Sequence, residues 1–264
     1  MQSQLTLEDT IERGLETIFS FICALSLPYS TMYIASNILQ RSYKSSDVQR
    51  RFKDRKYYDV AAGSLFIALK LEEYKINNDE IINVINRKAK KQEELFIKAD
   101  SPEYSRWKRI VLYMEPYLLH QLNFRMELSD PFGLLTMIRR QYGIPFSTFQ
   151  LTHTIIGDCC RTSLCIKADD KLIVSSCLYL TGCILDIQPY NEINSDLWGI
   201  SQFKSVTLDA LLSFGNEMVQ FYAQRQEIAM DLEFTPLSDM AEIVSSQDIV
   251  PIKDDELEEG EMQL

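Results

Sequence analysis

The stretch Val60–Glu73, VAAGSLFIALKLEE, constrains this chain more than any other. Val60, Leu65, Ile67, Leu69 and Leu71 recur at helical spacing, interleaved with Ala61, Ala62, Gly63, Ser64 and Ala68. A surface helix carries one apolar stripe and one charged face. Here no charge occurs from Val60 to Leu69, so the pattern predicts a helix buried on every side. Its small residues let neighbouring helices approach closely. Charge returns at Lys70, Glu72 and Glu73, where the helix must emerge. The stretch reads as the central helix of an all-α domain. Its polar end either meets a partner or is simply solvated, and the pattern alone leaves both open.

The rest of the chain also reads as helices. Ile11, Leu15, Ile18, Phe19, Ile22 and Leu25 form a first one, with Thr6 as N-cap and Glu8 and Asp9 in its first turn. It ends at Leu27-Pro28, and a second helix runs from about Ser30 to Tyr43. Lys44–Lys56, with Arg50, Arg51, Lys53, Arg55 and Lys56, reads as an exposed connection. Asn77 or Asn78 caps the helix after the central one. Residues 88–103 read as an irregular loop. A long pattern from about Tyr104 to Phe124 follows, interrupted by Pro116, where a bend or a restart is expected because proline removes a helix hydrogen bond. Further helices are expected near 131–142, 147–162, 170–186 and 205–225.

The two halves echo each other. Pro28-Tyr29-Ser30-Thr31 returns as Pro145-Phe146-Ser147-Thr148, at an offset of 117. Val60–Ile67 returns as Ile173–Leu180, at an offset of 113. Such periodicity points to two copies of one fold, about 8–126 and 127–226. Only the first copy has the charged ending; the second ends in Gly182-Cys183-Ile184-Leu185-Asp186.

Composition narrows the function classes. The net charge is −11, yet residues 227–264 hold twelve acidic residues and Lys253, leaving 26 acidic and 26 basic residues in 1–226. The acidity therefore belongs to the C-terminal stretch, whose composition suits disorder, and says little about the body. The six cysteines make no CxxC pair and fit a reduced, intracellular compartment. His153 with Cys160 or Cys165 lacks paired zinc-ligand spacing, so no metal is expected. Ile18–Leu27 is too short for a membrane span and follows acidic residues, unlike a signal peptide. With no Gly-rich phosphate loop, two histidines and no recognisable acid/base carboxylate pair, neither an enzyme nor a cofactor is expected.

Two tandem five-helix domains, with AAGSLFIALKLEE in the third helix of the first and MEPYLLHQLNF in its fifth, resemble a cyclin. The resemblance covers about 8–226. It implies an all-α fold of two cyclin domains, an N-terminal cyclin box at 8–126 and a second at 127–226, followed by the acidic 227–264. It implies that Lys70 and Glu115 are the paired charges that cyclins use against a kinase, with Ile67, Leu71, Leu119 and Phe124 as the apolar positions around them. Arg161–Cys165 and Leu197–Phe203 are similar to the transcriptional group, the L, K and T types. The expectation is a nuclear regulatory subunit that forms a heterodimer with a cyclin-dependent kinase of RNA polymerase II transcription or RNA processing, with no membrane and no direct nucleic-acid contact. The alternative is a factor IIB-like tandem cyclin fold binding promoter DNA, for which Arg50–Lys56 and Arg87–Lys91 would supply phosphate contacts. Two departures stand out. Pro116 directly follows Glu115, and the first helix lacks the hydrophobic docking motif of cell-cycle cyclins.

Overall fold

A computed structural model of the chain describes residues 5–53, 56–75, 77–92, 94–126, 129–185, 190–191, 196–197 and 200–230. The acidic stretch expected to be disordered lies outside these residues beyond 230. The described chain is helical: α1 (Leu7–Ala24), α2 (Tyr29–Ser42), α3 (Ser46–Arg51), α4 (Tyr57–Leu71), α5 (Asn78–Lys90), α6 (Pro102–Gln121), α7 (Pro131–Tyr142), α8 (Phe146–Cys159), α9 (Leu164–Lys167), α10 (Asp170–Ile184) and α11 (Leu208–Met230). Apart from these and a 3-10 turn at Ser201–Phe203, a two-residue antiparallel ladder pairs Tyr190 with Leu197 and Asn191 with Asp196.

Local chemistry sets the helix starts. Thr6 accepts from Asp9 N–H at 3.0 Å, and the Asp9 carboxylate accepts from Thr6 N–H at 3.0 Å. This reciprocal pair satisfies two of the N–H groups a helix start leaves open. Asn77 caps α5 by accepting from Asp79 N–H. Ser101 caps α6, with Pro102 at its first position, where the missing N–H costs nothing.

The chain separates into two compact units, Met1–Met218 and Val219–Leu264. In the second, Arg225 lies over the Phe221 ring at 4.4 Å from its centroid. All packing below concerns the first. There α4 is the central element, packed on α1, α2 and α6. Val60–Leu65 and Ile67–Leu69 are buried, and Phe66 alone within that run is half-exposed. Gly63 decides how close α6 comes: a β-carbon there would stand 2.6 Å from Met114 Cβ and 3.1 Å from Leu118 Cδ1. The inward face of α6 is Tyr104, Trp107, Val111, Met114 and Leu118. Trp107 Nε1 donates to Asn86 Oδ1 at 3.2 Å, so the buried indole is satisfied.

The pattern recurs. Just as α4 packs on α1 and α2, α10 packs on α7 and α8. Both α4 and α10 are 15 residues long, and the ends of each differ by the same 113 positions as the sequence echo. The boundary expected at 126/127 falls inside the first unit. Contacts cross it there: Tyr33 Oη and Ser129 Oγ are 2.6 Å apart, and Gln40 Nε2 donates to the Thr162 carbonyl at 3.0 Å. Arg161 reaches from the end of α8 to Glu16 on α1 with two hydrogen bonds, of 3.2 and 3.0 Å.

Three expectations are corrected. Lys44–Lys56 is not a plain exposed connection, because Ser46–Arg51 is α3. Val48 and Phe52, four residues apart, both bury, and Tyr43 Oη donates to the Phe52 carbonyl at 3.0 Å. Residues 88–103 are less irregular than expected. Helix α5 continues to Lys90, and Ile97 is buried with its N–H donated to Asn83 Oδ1 at 2.8 Å. Lastly, α6 runs unbroken through Pro116 with no restart. Proline costs such a helix roughly 3 kcal/mol through its missing N–H and ring clash. Because Pro116 is exposed, Pro116→Ala is expected to stabilise the fold by about 2 kcal/mol, read as a raised melting temperature; an unchanged or lowered one would mean the helix has adapted to the ring.

Candidate functional site

The C-terminal end of α4 and the last turns of α6 bring Lys70 and Glu115 together. Lys70 Nζ donates to Glu115 Oε1 at 2.7 Å and to Oε2 at 2.8 Å. The lysine side chain is 54% exposed and the carboxylate 21%. The ammonium also lies 4.7 Å from the centroid of the Phe66 ring, one turn back along α4. An ammonium has three protons. Two face Glu115, and the third meets no hydrogen-bond acceptor among the described residues, only the neighbouring Phe66 ring. The ion pair therefore holds the lysine in place without using it up. Pro116 leaves Glu115 oriented toward Lys70.

Glu72 and Glu73 part company. Glu72 turns inward, where its carboxylate accepts from the buried Thr31 hydroxyl of α2. Glu73 closes the helix with a left-handed backbone, φ 53°, and stays exposed. Tyr74 N–H then donates back to the Leu69 carbonyl at 2.9 Å, completing a Schellman-type end. Helix α6 ends in the same way, with Asn123 and Phe124 at φ 51° and 56° and Phe124 N–H donated to the Leu119 carbonyl at 2.9 Å.

Of the apolar positions expected around the pair, Leu71 is 46% exposed and Phe124 66% exposed, while Leu119 is half-buried. Ile67 is 3% exposed and lies in the core, so it supports the surface from beneath and does not line it. The sequence reading missed the neighbouring groove. Phe66, Ile81, Ile82, Val111 and Leu112, with Asn78 and Lys108, line a shallow depression between α4, α5 and α6. Its signal was Leu112, an apolar residue standing outside the inward stripe of α6 and 51% exposed.

An exposed ion pair contributes about 0–1 kcal/mol to stability. Glu115→Gln is therefore expected to change the melting temperature by no more than about 3 °C in a chain of this size; a drop of 10 °C would make the pair a structural element.

His153, the candidate ligand for a metal, sits instead among the rings of Tyr29, Phe132 and Phe149, at centroid distances of 5.7, 4.8 and 5.9 Å. Burial lowers its pKa. Cys160 and Cys165 are buried free thiols, and burial pushes both up. Among the described residues no group of three His, Cys, Asp or Glu is placed to hold a metal ion, and no helix is long and apolar enough to cross a membrane.

Residues 13–127 match a family model described as Cyclin, N-terminal domain. The chain is 26% identical over 165 residues to Cyclin pch1 of Schizosaccharomyces pombe, covering 62% of this chain and 47% of that protein. It is 26% identical over 139 residues to Cyclin-T1-2 of Arabidopsis thaliana, covering 51% and 30%, and 26% identical over 180 residues to Cyclin-L1 of Danio rerio, covering 66% and 35%. The chain thus spans less than half the length of each of these relatives. Among solved structures, a chain of the yeast RNA Pol II CTD kinase CTDK-1 complex superposes with a TM-score of 0.61 at 17% identity, over 80% of this chain and 64% of that one. At that identity the likeness concerns the fold.

Proposed function

We propose that this chain is the regulatory subunit of a cyclin-dependent protein kinase acting on RNA polymerase II transcription or RNA processing, because residues 13–127 match the cyclin N-terminal family model and the chain is similar to transcriptional cyclins. It performs no chemistry itself. It binds the active arrangement of the kinase better than the inactive one and so shifts the kinase population toward it. In this reading residues 8–126 are the kinase-binding copy of the fold and 127–226 the second copy. The protein acts in the nucleus.

The observation that carries the reading is the Lys70–Glu115 pair, standing at the exposed end of a buried helix with one ammonium proton to spare. A backbone carbonyl of the kinase's mobile helix accepts a hydrogen bond from that N–H. Leu71, Leu119 and Phe124 pack on the apolar side of the same helix, and Ile67 holds the surface from below. The groove beside Phe66 and Leu112 extends this apolar area. The pair and the surface around it are formed before binding, which lowers the ordering cost of association.

The promoter-DNA reading is less well supported. Arg50 and Arg51 are both paired with Asp47, and Lys90 with Glu103. These carboxylates cancel part of the charge that a phosphate backbone would need along this face. The deciding experiment is co-purification of the tagged protein from its own cells, with bound proteins identified and kinase activity assayed on a polymerase tail peptide. A co-purifying, active kinase is the expected result. Promoter DNA and polymerase factors without a kinase would overturn the proposal.

A further inference from the structure

The basic run at Arg50–Lys56 has a structural context that kinase binding does not use. Asp47 of α3 is a hub. Arg50 Nη2 and Arg51 Nε donate to its Oδ1 at 2.8 and 3.0 Å, and Tyr117 Oη of α6 donates to its Oδ2 at 2.8 Å. The hydrogen bond from Tyr117, and then that from Arg50, hold the Asp47 carboxyl below its usual range. Burial, and then the Asp47 carboxylate, push the Tyr117 hydroxyl up to about 12. Asp47 therefore stays ionised and Tyr117 stays a donor across the physiological range. Around this hub the aromatic rings form a ladder. Tyr113 stacks on Tyr117 at 5.7 Å and 14°, Phe52 packs against Tyr117 at 5.4 Å, and the Arg51 guanidinium lies 5.9 Å from the Tyr117 centroid.

These contacts orient two guanidinium groups without enclosing them. The side chains of Arg50 and Arg51 are 75% and 52% exposed, and Tyr113 is 53% exposed. Each guanidinium uses one edge on Asp47. Their remaining N–H groups have no partner among the described residues. Two cations share one carboxylate, so the cluster keeps a net charge of +1. That is a small, directional anion site beside an exposed ring.

We propose that this face of α3 and α6 docks a phosphorylated peptide segment, the phosphoryl group on the free edges of Arg50 and Arg51 and an adjacent proline or aromatic side chain on Tyr113. Guanidinium forks match phosphate oxygens in geometry, and a phosphoryl group at about −1.5 to −2 gains more from the cluster than a carboxylate does. Nucleic acid fits less well. Tracking a phosphate backbone takes a stripe of several cations, whereas the two guanidinium groups oriented here share one carboxylate and leave a net charge of +1. The site shares no residue with the Lys70–Glu115 pair and stands whether or not that pair meets a kinase.

The test uses the full chain and a fluorescein-labelled heptapeptide holding one phosphoserine between Tyr and Pro, read by fluorescence polarisation. The phosphorylated peptide is expected to bind at least about tenfold more tightly than its unphosphorylated twin. Arg50→Ala with Arg51→Ala should abolish that difference, and Lys70→Glu should leave it intact. Should the double alanine variant melt early, Arg50→Lys with Arg51→Lys decides. It keeps the charge but loses the forks, and is expected to reduce the preference about fivefold. Equal affinity for the two peptides, or a preference unchanged in the variants, would overturn the proposal. So would tighter binding of a short oligothymidylate that the same substitutions weaken, which would make the face a nucleic-acid site.

Discussion

Lys70→Glu is expected to remove the kinase from the co-purified complex while the protein stays folded. Three effects coincide at that position. The substitution deletes the one ammonium proton that Glu115 leaves unused. It sets a carboxylate against Glu115, whose oxygens now hold Lys70 at 2.7 and 2.8 Å. On the proposed reading it also leaves a kinase backbone carbonyl without its donor. Removing one side of a hydrogen-bonded charge at an interface costs about 3 kcal/mol, or roughly a hundredfold in affinity. The fold loses little, because the lysine side chain is 54% exposed and such pairs contribute about 1 kcal/mol at most. The measurement is the amount of kinase retained on the tagged protein, beside a thermal melt of each variant. Full kinase retention by a folded Lys70→Glu protein would sink the assignment. Reversing both charges, Lys70→Glu with Glu115→Lys, restores the internal attraction but moves the donor to the other helix. Retention should remain impaired in that variant too.

Gly63→Val should do the opposite, destabilising the fold without substituting any exposed residue of the site. The new β-carbon would lie 2.6 Å from Met114 Cβ, against the 3.5–4.0 Å at which carbon atoms rest. Both atoms are fixed to backbone, so α4 and α6 must move apart by about 1 Å. The expected cost is about 3 kcal/mol or more, near the upper range for overpacking, lowering the melting temperature by roughly 6–12 °C. Shortening Met114 to Ala should not rescue it, since alanine keeps the clashing carbon. A Gly63→Val protein that melts with the wild type would show that the two helices have room to spare.

The elements legible in the sequence are those whose cause is local. The uncharged run of α4, the cap at Thr6 and the cap at Asn77 rest on neighbours a few residues away. The echo between α4 and α10 was readable because burial on several sides leaves small apolar residues in both. Helix α3 was not readable. Six residues are too few to hold a helix by propensity, and this one depends on Val48 and Phe52 burying and on Tyr117 reaching Asp47 from 70 positions away. The continuity of α6 through Pro116 was also hidden. Sequence gives the local cost of a proline, but not the anchoring of Met114 and Leu118 on either side of it. At the site, the charged pair was legible through its resemblance and Ile67 was misplaced. Ile67 shares a face with Leu71 by helical spacing, yet helical side chains lean toward the N-terminus. Ile67 also lies one turn further from the emerging end of α4 than Leu71, and it is 3% exposed where Leu71 is 46% exposed.

The ends of α4 and α10 differ, and the difference bears on stoichiometry. Counting 113 positions on from Lys70 and Leu71 reaches Cys183 and Ile184, both exposed at the end of α10. A duplicated fold with two like ends would offer two berths and could bridge a pair of partners. Here one end presents an ammonium and the other a thiol and a hydrocarbon, so a partner that seeks a positive donor finds a single place to land. The assembly built on Lys70 should be one-to-one, and its mass in solution should show one partner per chain.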